Sequence, residues 1–223
     1  MPAPAGAQEP APDSPSTLSV SAQATVTRAP DRARVHLAVE TVAATAREAT
    51  DANAASMTAV LDALARLGID PDDVRTQSVT LNPRYDRGAE DREPAIVGYQ
   101  AANRVTVPVT PVDDVGPVVD AAVAAGANRV TGIEFEIGDP EAAYHEALRR
   151  AIARAQRDAD VAAAALGQPL GPAVSVSTGG LDAPVPRPMM EAMDLNLRAA
   201  GTPVQAGELD VRAFVSITYR LGS

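Results

Sequence analysis

The chain has 223 residues, 46% of them hydrophobic but only 3% aromatic, and its formal net charge is −10. That length suits one sizeable domain or two small ones, with a core of Val, Leu, Ile and Ala rather than aromatic rings. The charge argues against nucleic acid, which needs a basic face, and the absence of Cys excludes disulfides, thiolate catalysis and thiolate-held metals.

Met1 to Pro15 is rich in Pro and Ala, has almost no bulky apolar residue, and reads as a disordered tail over 1–16. Ala3 to Ala7 is like the small-residue end of a secretory signal, without the basic and apolar parts. The tail is thus a trimmed signal or a plain linker. Residues 17–223 read as the folded domain.

Leu18, Val20, Ala22, Ala24 and Val26 alternate as in a half-buried strand, and Ala29-Pro30-Asp31 breaks it. Ala33, Val35, Leu37 and Val39 form the next alternating face, with Arg34, His36 and Glu40 opposite, so the pair reads as a hairpin. Thr45-Ala46-Arg47-Glu48 fits a capping box. Met57, Val60, Leu61, Leu64 and Leu67 follow at helical spacing, and Gly68 is placed to end the helix.

After a turn at Asp70 to Asp73, Val74 to Leu81 reads as a strand and Pro83 to Pro94 as an exposed loop. Ile96 to Val109 is a longer strand, with Tyr99, Ala101, Asn103, Val105, Val107 and Val109 on one side. Pro108 cannot donate to a ladder, which puts it at an edge or bulge. Thr110-Pro111 reads as the cap and first turn of a second helix whose stripe is Val112, Val115, Val119 and Val123, stopped at Gly126.

Thr131, Ile133, Phe135 and Ile137 share the next strand face, opposite Glu134 and Glu136. A third helix runs from Pro140 to Leu166, about 40 Å at 1.5 Å per residue. Its stripe is Tyr144, Ala147, Leu148, Ala151, Ala155, Ala159 and Ala162. Glu146 and Arg150 are spaced for an ion pair on its solvated face. Val174 to Ser177 is a short strand, 178–207 an irregular insertion, and Glu208 to Leu221 the most regular strand of the chain. The order ββαββαβαββ predicts an α+β fold, an antiparallel or mixed sheet with three helices packed on it.

A set of local phrases occurs in this order: Pro30-Asp31-Arg32-Ala33, Asp73-Val74-Arg75-Thr76, Val97 to Asn103, Gly126-Ala127-Asn128-Arg129-Val130, Gly132 to Phe135, and Gly207 to Val211. Together they resemble the SIMPL-domain family, whose founding member was named for association with a mouse Pelle-like kinase. Its bacterial members include periplasmic immunogenic and oxidative-stress defence proteins. The first strand departs from the family, with Ala22 and Ala24 where members carry a Gly-x-Gly. The resemblance implies a periplasmic or secreted protein, non-enzymatic, without cofactor, linked to stress defence and assembling into homo-oligomers. It marks Pro30, Asp31, Arg75, Thr76, Tyr99, Asn103, Gly126, Asn128 and Phe135 as motif residues, whose chemistry reads as mostly structural.

Nothing near His36 or His145 has metal-ligand spacing, and a solvated or satisfied imidazole is the better reading of each. Glu134 and Glu136 read as a solvated strand face, without the positioned partner a hydrolase needs. Met189, Met190, Met193 and Leu197 lie in the insertion. They form either a short helix on their own domain or a contact for a protein partner or another copy. Three functions follow: a self-assembling envelope protein, a small-ligand or peptide binder using the sheet face and the Thr178 to Gly207 loop with Tyr99 and Asn103 as polar groups, and, weakest, a hydrolase using Glu134 and His145.

Overall fold

The computed structural model describes residues 16–86, 95–180, 183–187, 202 and 204–222. Along them run β1 (Thr17–Arg28), β2 (Arg32–Ala43), α1 (Ala46–Arg66), β3 (Arg75–Asp86), β4 (Ala95–Val109) and α2 (Val115–Ala124). After these come β5 (Arg129–Glu136), α3 (Pro140–Ala165), β6 (Leu170–Thr178), the two-residue β7 (Val185–Pro186) and β8 (Leu209–Leu221). This is the expected α+β order with β7 added. The described strands form two sheets rather than one, both antiparallel. Met189, Met190, Met193 and Leu197 lie outside the described residues, as does nearly all of the 1–16 tail.

The residues divide into two compact units, one taking Met1–Val26, Pro140–Ala183 and Val211–Ser223, the other Thr27–Asp139 and Pro184–Asp210. In the second, the strand order is β3-β4-β2-β5. One face buries Val35, Leu37, Val39, Val105 and Val107 against Met57, Val60 and Leu64 of α1 and Val115, Val118, Val119 and Ala122 of α2. In the first, β8 is central, between β1 and β6. Val215, Ile217 and Tyr219 pack there with Ala22 and with Ala151, Ala155 and Ala159 of α3.

All three helices stop by one device. At α1, Gly68 N–H donates to Ala65 O and Ile69 N–H to Leu64 O. At α2 the pairs are Gly126 to Val123 and Ala127 to Ala122, and at α3 Gly167 to Ala164 and Gln168 to Ala163. These are Schellman caps, and each needs a left-handed residue that glycine adopts without steric cost: φ is +86° at Gly68, +121° at Gly126 and +67° at Gly167. The start of α1 is the expected capping box, Thr45 Oγ1 accepting from Glu48 N–H while Glu48 Oε2 accepts from Thr45 N–H.

Several expectations are corrected. β1 and β2 do not pair: β1 lies beside β8, and β2 between β4 and β5. Asp31 accounts for part of this, because its N–H donates to Glu136 O and its Oδ1 accepts from Gly138 N–H, fastening the start of β2 to the end of β5. Pro83 is not loop, since β3 continues to Asp86, opposite Ala95. The Thr110–Pro111 peptide is cis, and a short 3-10 turn at Val112–Asp114 precedes α2, so Thr110 is not its cap. The buried stripe of α2 is Val115, Val118, Val119 and Ala122, leaving Val123 half exposed. On α3 the alanine row ends at Ala163 rather than Ala162, a strict four-residue period from Ala147. Pro108 lies past the end of the β3 pairing, which stops at Thr106, while it stays in register with Arg34 of β2.

Candidate functional site

Alternation along β2 sends Arg34, His36, Ala38 and Glu40 to the sheet face away from α1 and α2. The register decides their neighbours. Ala38 lies opposite Arg104 of β4 and Arg129 of β5. It is fully buried although it is on the open face, a small residue between two long side chains. Both arginines turn toward Glu40. Arg129 Nε lies 3.1 Å from Glu40 Oε2 and Arg104 3.9 Å from Oε1, while Gln100 Nε2 donates to Oε2 at 3.1 Å. Arg104 also donates to Ser78 Oγ. One carboxylate thus gathers groups from β4 and β5 onto β2.

Asn128 fixes the same place through the backbone. Its Oδ1 accepts from Glu40 N–H at 2.9 Å, its Nδ2 donates to Glu40 O at 2.7 Å, and its own N–H donates to Ala38 O. The amide side chain extends the β2–β5 ladder by imitating one more strand residue.

Further along β2, His36 is held between two side chains. Its Nδ1 is 2.9 Å from Thr106 Oγ1, and its Nε2 is 3.4 Å from Glu134 Oε1 without the alignment of a hydrogen bond. Hydroxyl, imidazole and carboxylate in a row have the order of a hydrolase triad. Thr106 is only 6% exposed, so little of this residue reaches solvent. Beside this row a cavity of about 490 Å³ opens, lined by Arg34, His36, Asp73, Arg75, Thr106 and Glu134 among others. Arg34 is paired to Glu136 at 2.8 Å. Arg75 makes no ion pair or hydrogen bond among the described residues, with Asp73 or with a loop carbonyl.

The other motif residues are spread through the same unit. Thr76 is exposed opposite Val105. Phe135 packs on the core, opposite Ala33. Tyr99 is half-buried between Ala43 and Pro83. Asn103 lies between Val39 and Val79, its Oδ1 shut from solvent and unpartnered among the described residues. Tyr99 and Asn103 do not line the cavity. Asn53, unmarked in the sequence reading, is buried on α1 and donates to Val39 O and Ala101 O. A lone Asn on an otherwise apolar helix stripe is the signal that identifies it. His145 belongs to the first unit, 3.8 Å from Glu141 on its own helix, and the imidazole beside Glu134 is that of His36. Among the described residues no group of three or more His, Asp or Glu is placed to hold a metal ion.

Comparison with known proteins finds relatives along most of the chain. The chain is 33% identical over 214 residues to the 26 kDa periplasmic immunogenic protein of Brucella melitensis, covering 93% of this chain and 85% of that one. It is 29% identical over 202 residues to the uncharacterized protein YggE of Escherichia coli K12, covering 88% and 77%. A similar protein of Edwardsiella ictaluri, also YggE, matches at 30% over 165 residues, 74% of this chain and 68% of that one. The family model SIMPL, described as a protein of unknown function (DUF541), matches residues 18–219, nearly all of the folded chain, and the protein belongs to the SIMPL family.

Proposed function

We propose that the protein is a non-enzymatic component of the periplasm that works by associating with copies of itself. The observation that carries this reading is a cluster of apolar side chains left in solvent on the β3–β4 pair. Val79, Leu81, Tyr85, Ile96 and Val97 are 67%, 43%, 53%, 51% and 59% exposed. Val79 and Leu81 lie on the helix side of the sheet, opposite Asn103 and Ala101, and Tyr85 faces Ile96 across the strands. Large apolar groups grouped at an edge strand are costly to leave wet, and a partner surface removes that cost. The periplasmic location is supported by the name of the Brucella relative. The non-enzymatic reading follows the family resemblance, and the Glu40 carboxylate of the open face is already engaged by Arg104 and Arg129. Any part in stress defence is then indirect, through assembly or a bound partner.

Light scattering across a concentration series tests this. The wild type is expected to exceed the monomer mass at high micromolar concentration, and Val79→Ser/Tyr85→Ser to remain folded but shift toward monomer. A wild type that stays strictly monomeric overturns the proposal.

A second reading rests on the cavity beside His36, where Arg75 is a cation without a partner among the described residues, in a concave site. It makes the protein a binder of a small carboxylate, and Arg75→Gln should abolish ligand-dependent shifts in melting temperature while leaving self-association intact.

A further inference from the structure

Among the described strands β1 is an edge of its sheet, with β8 on one side only. Its register follows from Leu221 N–H donating to Ser16 O at 2.8 Å, and from the opposed pairs Ser19–Thr218 and Ser21–Ser216 at 2.9 and 3.2 Å. In an antiparallel ladder the main-chain groups of alternate residues point to the same side. The even-numbered residues of β1 therefore spend theirs on β8, and the odd-numbered ones, Gln23 and Thr25 among them, point N–H and C=O away from the sheet.

What lies beside that edge is a groove of about 660 Å³ between β1 and α3, lined by Gln23, Thr25, Arg150, Arg154 and Arg157 among others. The arginines recur at i, i+4 and i+7, a single stripe of the helix. Arg150 is paired with Glu146 and Arg154 loosely with Asp158 at 3.9 Å, both on exposed helix turns. Arg157 has no partner among the described residues. On a chain of net charge −10 this is a local concentration of cations against a free strand edge.

We infer that this groove takes an acidic peptide segment of another protein in extended form, added as a strand to the free edge of β1. Each part of the site answers one part of such a ligand. The free N–H and C=O groups of Gln23 and Thr25 supply a ladder, the means by which strand addition gains affinity. Residues i and i+2 of an extended chain project on one side about 6.6–7 Å apart. Arg150 and Arg154 are about 6 Å apart along the helix axis. Two glutamates at alternate positions therefore meet two guanidinium groups, which bind carboxylates in a forked geometry. A lysine-bearing segment is repelled by the same row. This partner site is separate from the exposed apolar cluster on the β3–β4 pair.

The test uses the full chain and a fluorescein-labelled six-residue peptide alternating Glu with Val, followed by anisotropy at about 0.15 M salt, where long-range attraction is screened. Saturable binding is expected, at least about tenfold stronger than that of the same peptide with Lys for Glu. A version N-methylated at alternate amides, unable to form the ladder, should weaken by a similar factor. Arg154→Glu/Arg157→Glu should abolish binding, the milder Arg157→Gln should weaken it, and Arg66→Glu on α1 should leave it unchanged, each variant first shown to melt like wild type. No saturation below millimolar peptide, or equal binding of the Lys or N-methylated peptides, overturns the inference. So does a result in which the peptide fails to bind and Arg154→Glu/Arg157→Glu instead lowers the light-scattering mass, since the groove would then be filled by a neighbouring copy.

Discussion

The two units bury comparable sheet faces with different side chains. In the unit built on β2, the contact with α1 and α2 is made by branched and long groups: Leu37, Val39, Val60, Leu64, Val107 and Val115 are all essentially sealed from solvent. In the unit built on β8, the buried row of α3 is mostly alanine, Ala143, Ala147, Ala151, Ala155, Ala159 and Ala163, with Tyr144 buried at its start and Leu148 partly buried. Alanine loses no side-chain entropy on burial and lets the helix backbone approach closely, but each residue contributes little transferred area. The first core gains stability from volume and shape, the second from proximity along a 26-residue helix. Their outer faces differ too. The β2 sheet carries the Glu40 arginine network, and the β8 sheet a row of hydroxyls, Ser19 on Thr218 and Ser21 on Ser216.

Four experiments break or sharpen this contrast. The largest effect is expected from Leu64→Ala, which opens a cavity in the branched core and should cost about 2–5 kcal/mol in denaturant unfolding. Ala155→Leu asks the opposite question of the alanine row, where added bulk has nowhere to go. A loss of about 1–3 kcal/mol is expected, and a silent result would show that α3 does not depend on close approach. Asn128→Ala removes two hydrogen bonds to Glu40 at a site open to water, and should cost about 1 kcal/mol, seen as faster amide exchange at Glu40. The smallest effect belongs to the ion network. A double-mutant cycle of Glu40→Gln with Arg129→Gln should return a coupling of about 0.2–1 kcal/mol that fades at high salt. A coupling several times larger would mean that the open face is a structural element rather than a solvated one.

Local signals were legible because their physics is local. The capping box at Thr45, the glycine stops at Gly68, Gly126 and Gly167, the extent of α3 and the buried face of β8 each depend on residues a few positions apart. Asp31 and Asn128 were recognisable as motif residues, but their partners Gly138 and Glu40 were not, lying 107 and 88 positions away. The same holds for the candidate sites. Arg34, His36, Glu40 and Glu134 could be assigned to polar strand faces from alternation, yet nothing in the spacing placed Arg129 against Glu40 or Thr106 against His36. On α2 the expected stripe was shifted because all-valine periodicity does not say which valines face the sheet.

By itself, then, the order of residues determined most of the segments that become helix or strand, where each helix stops, where α1 starts, and which side of each long strand is apolar, since these follow from capping, alternation and backbone freedom within about one turn or a few strand residues. Only the tertiary structure decided that β1 leaves β2 for β8, with Ser19 meeting Thr218 from 199 positions away, and that two sheets form instead of one. Strand pairing is chosen by the burial and hydrogen bonding of whole faces at once, and an alternating strand is equally ready to pair with any neighbour that completes its core.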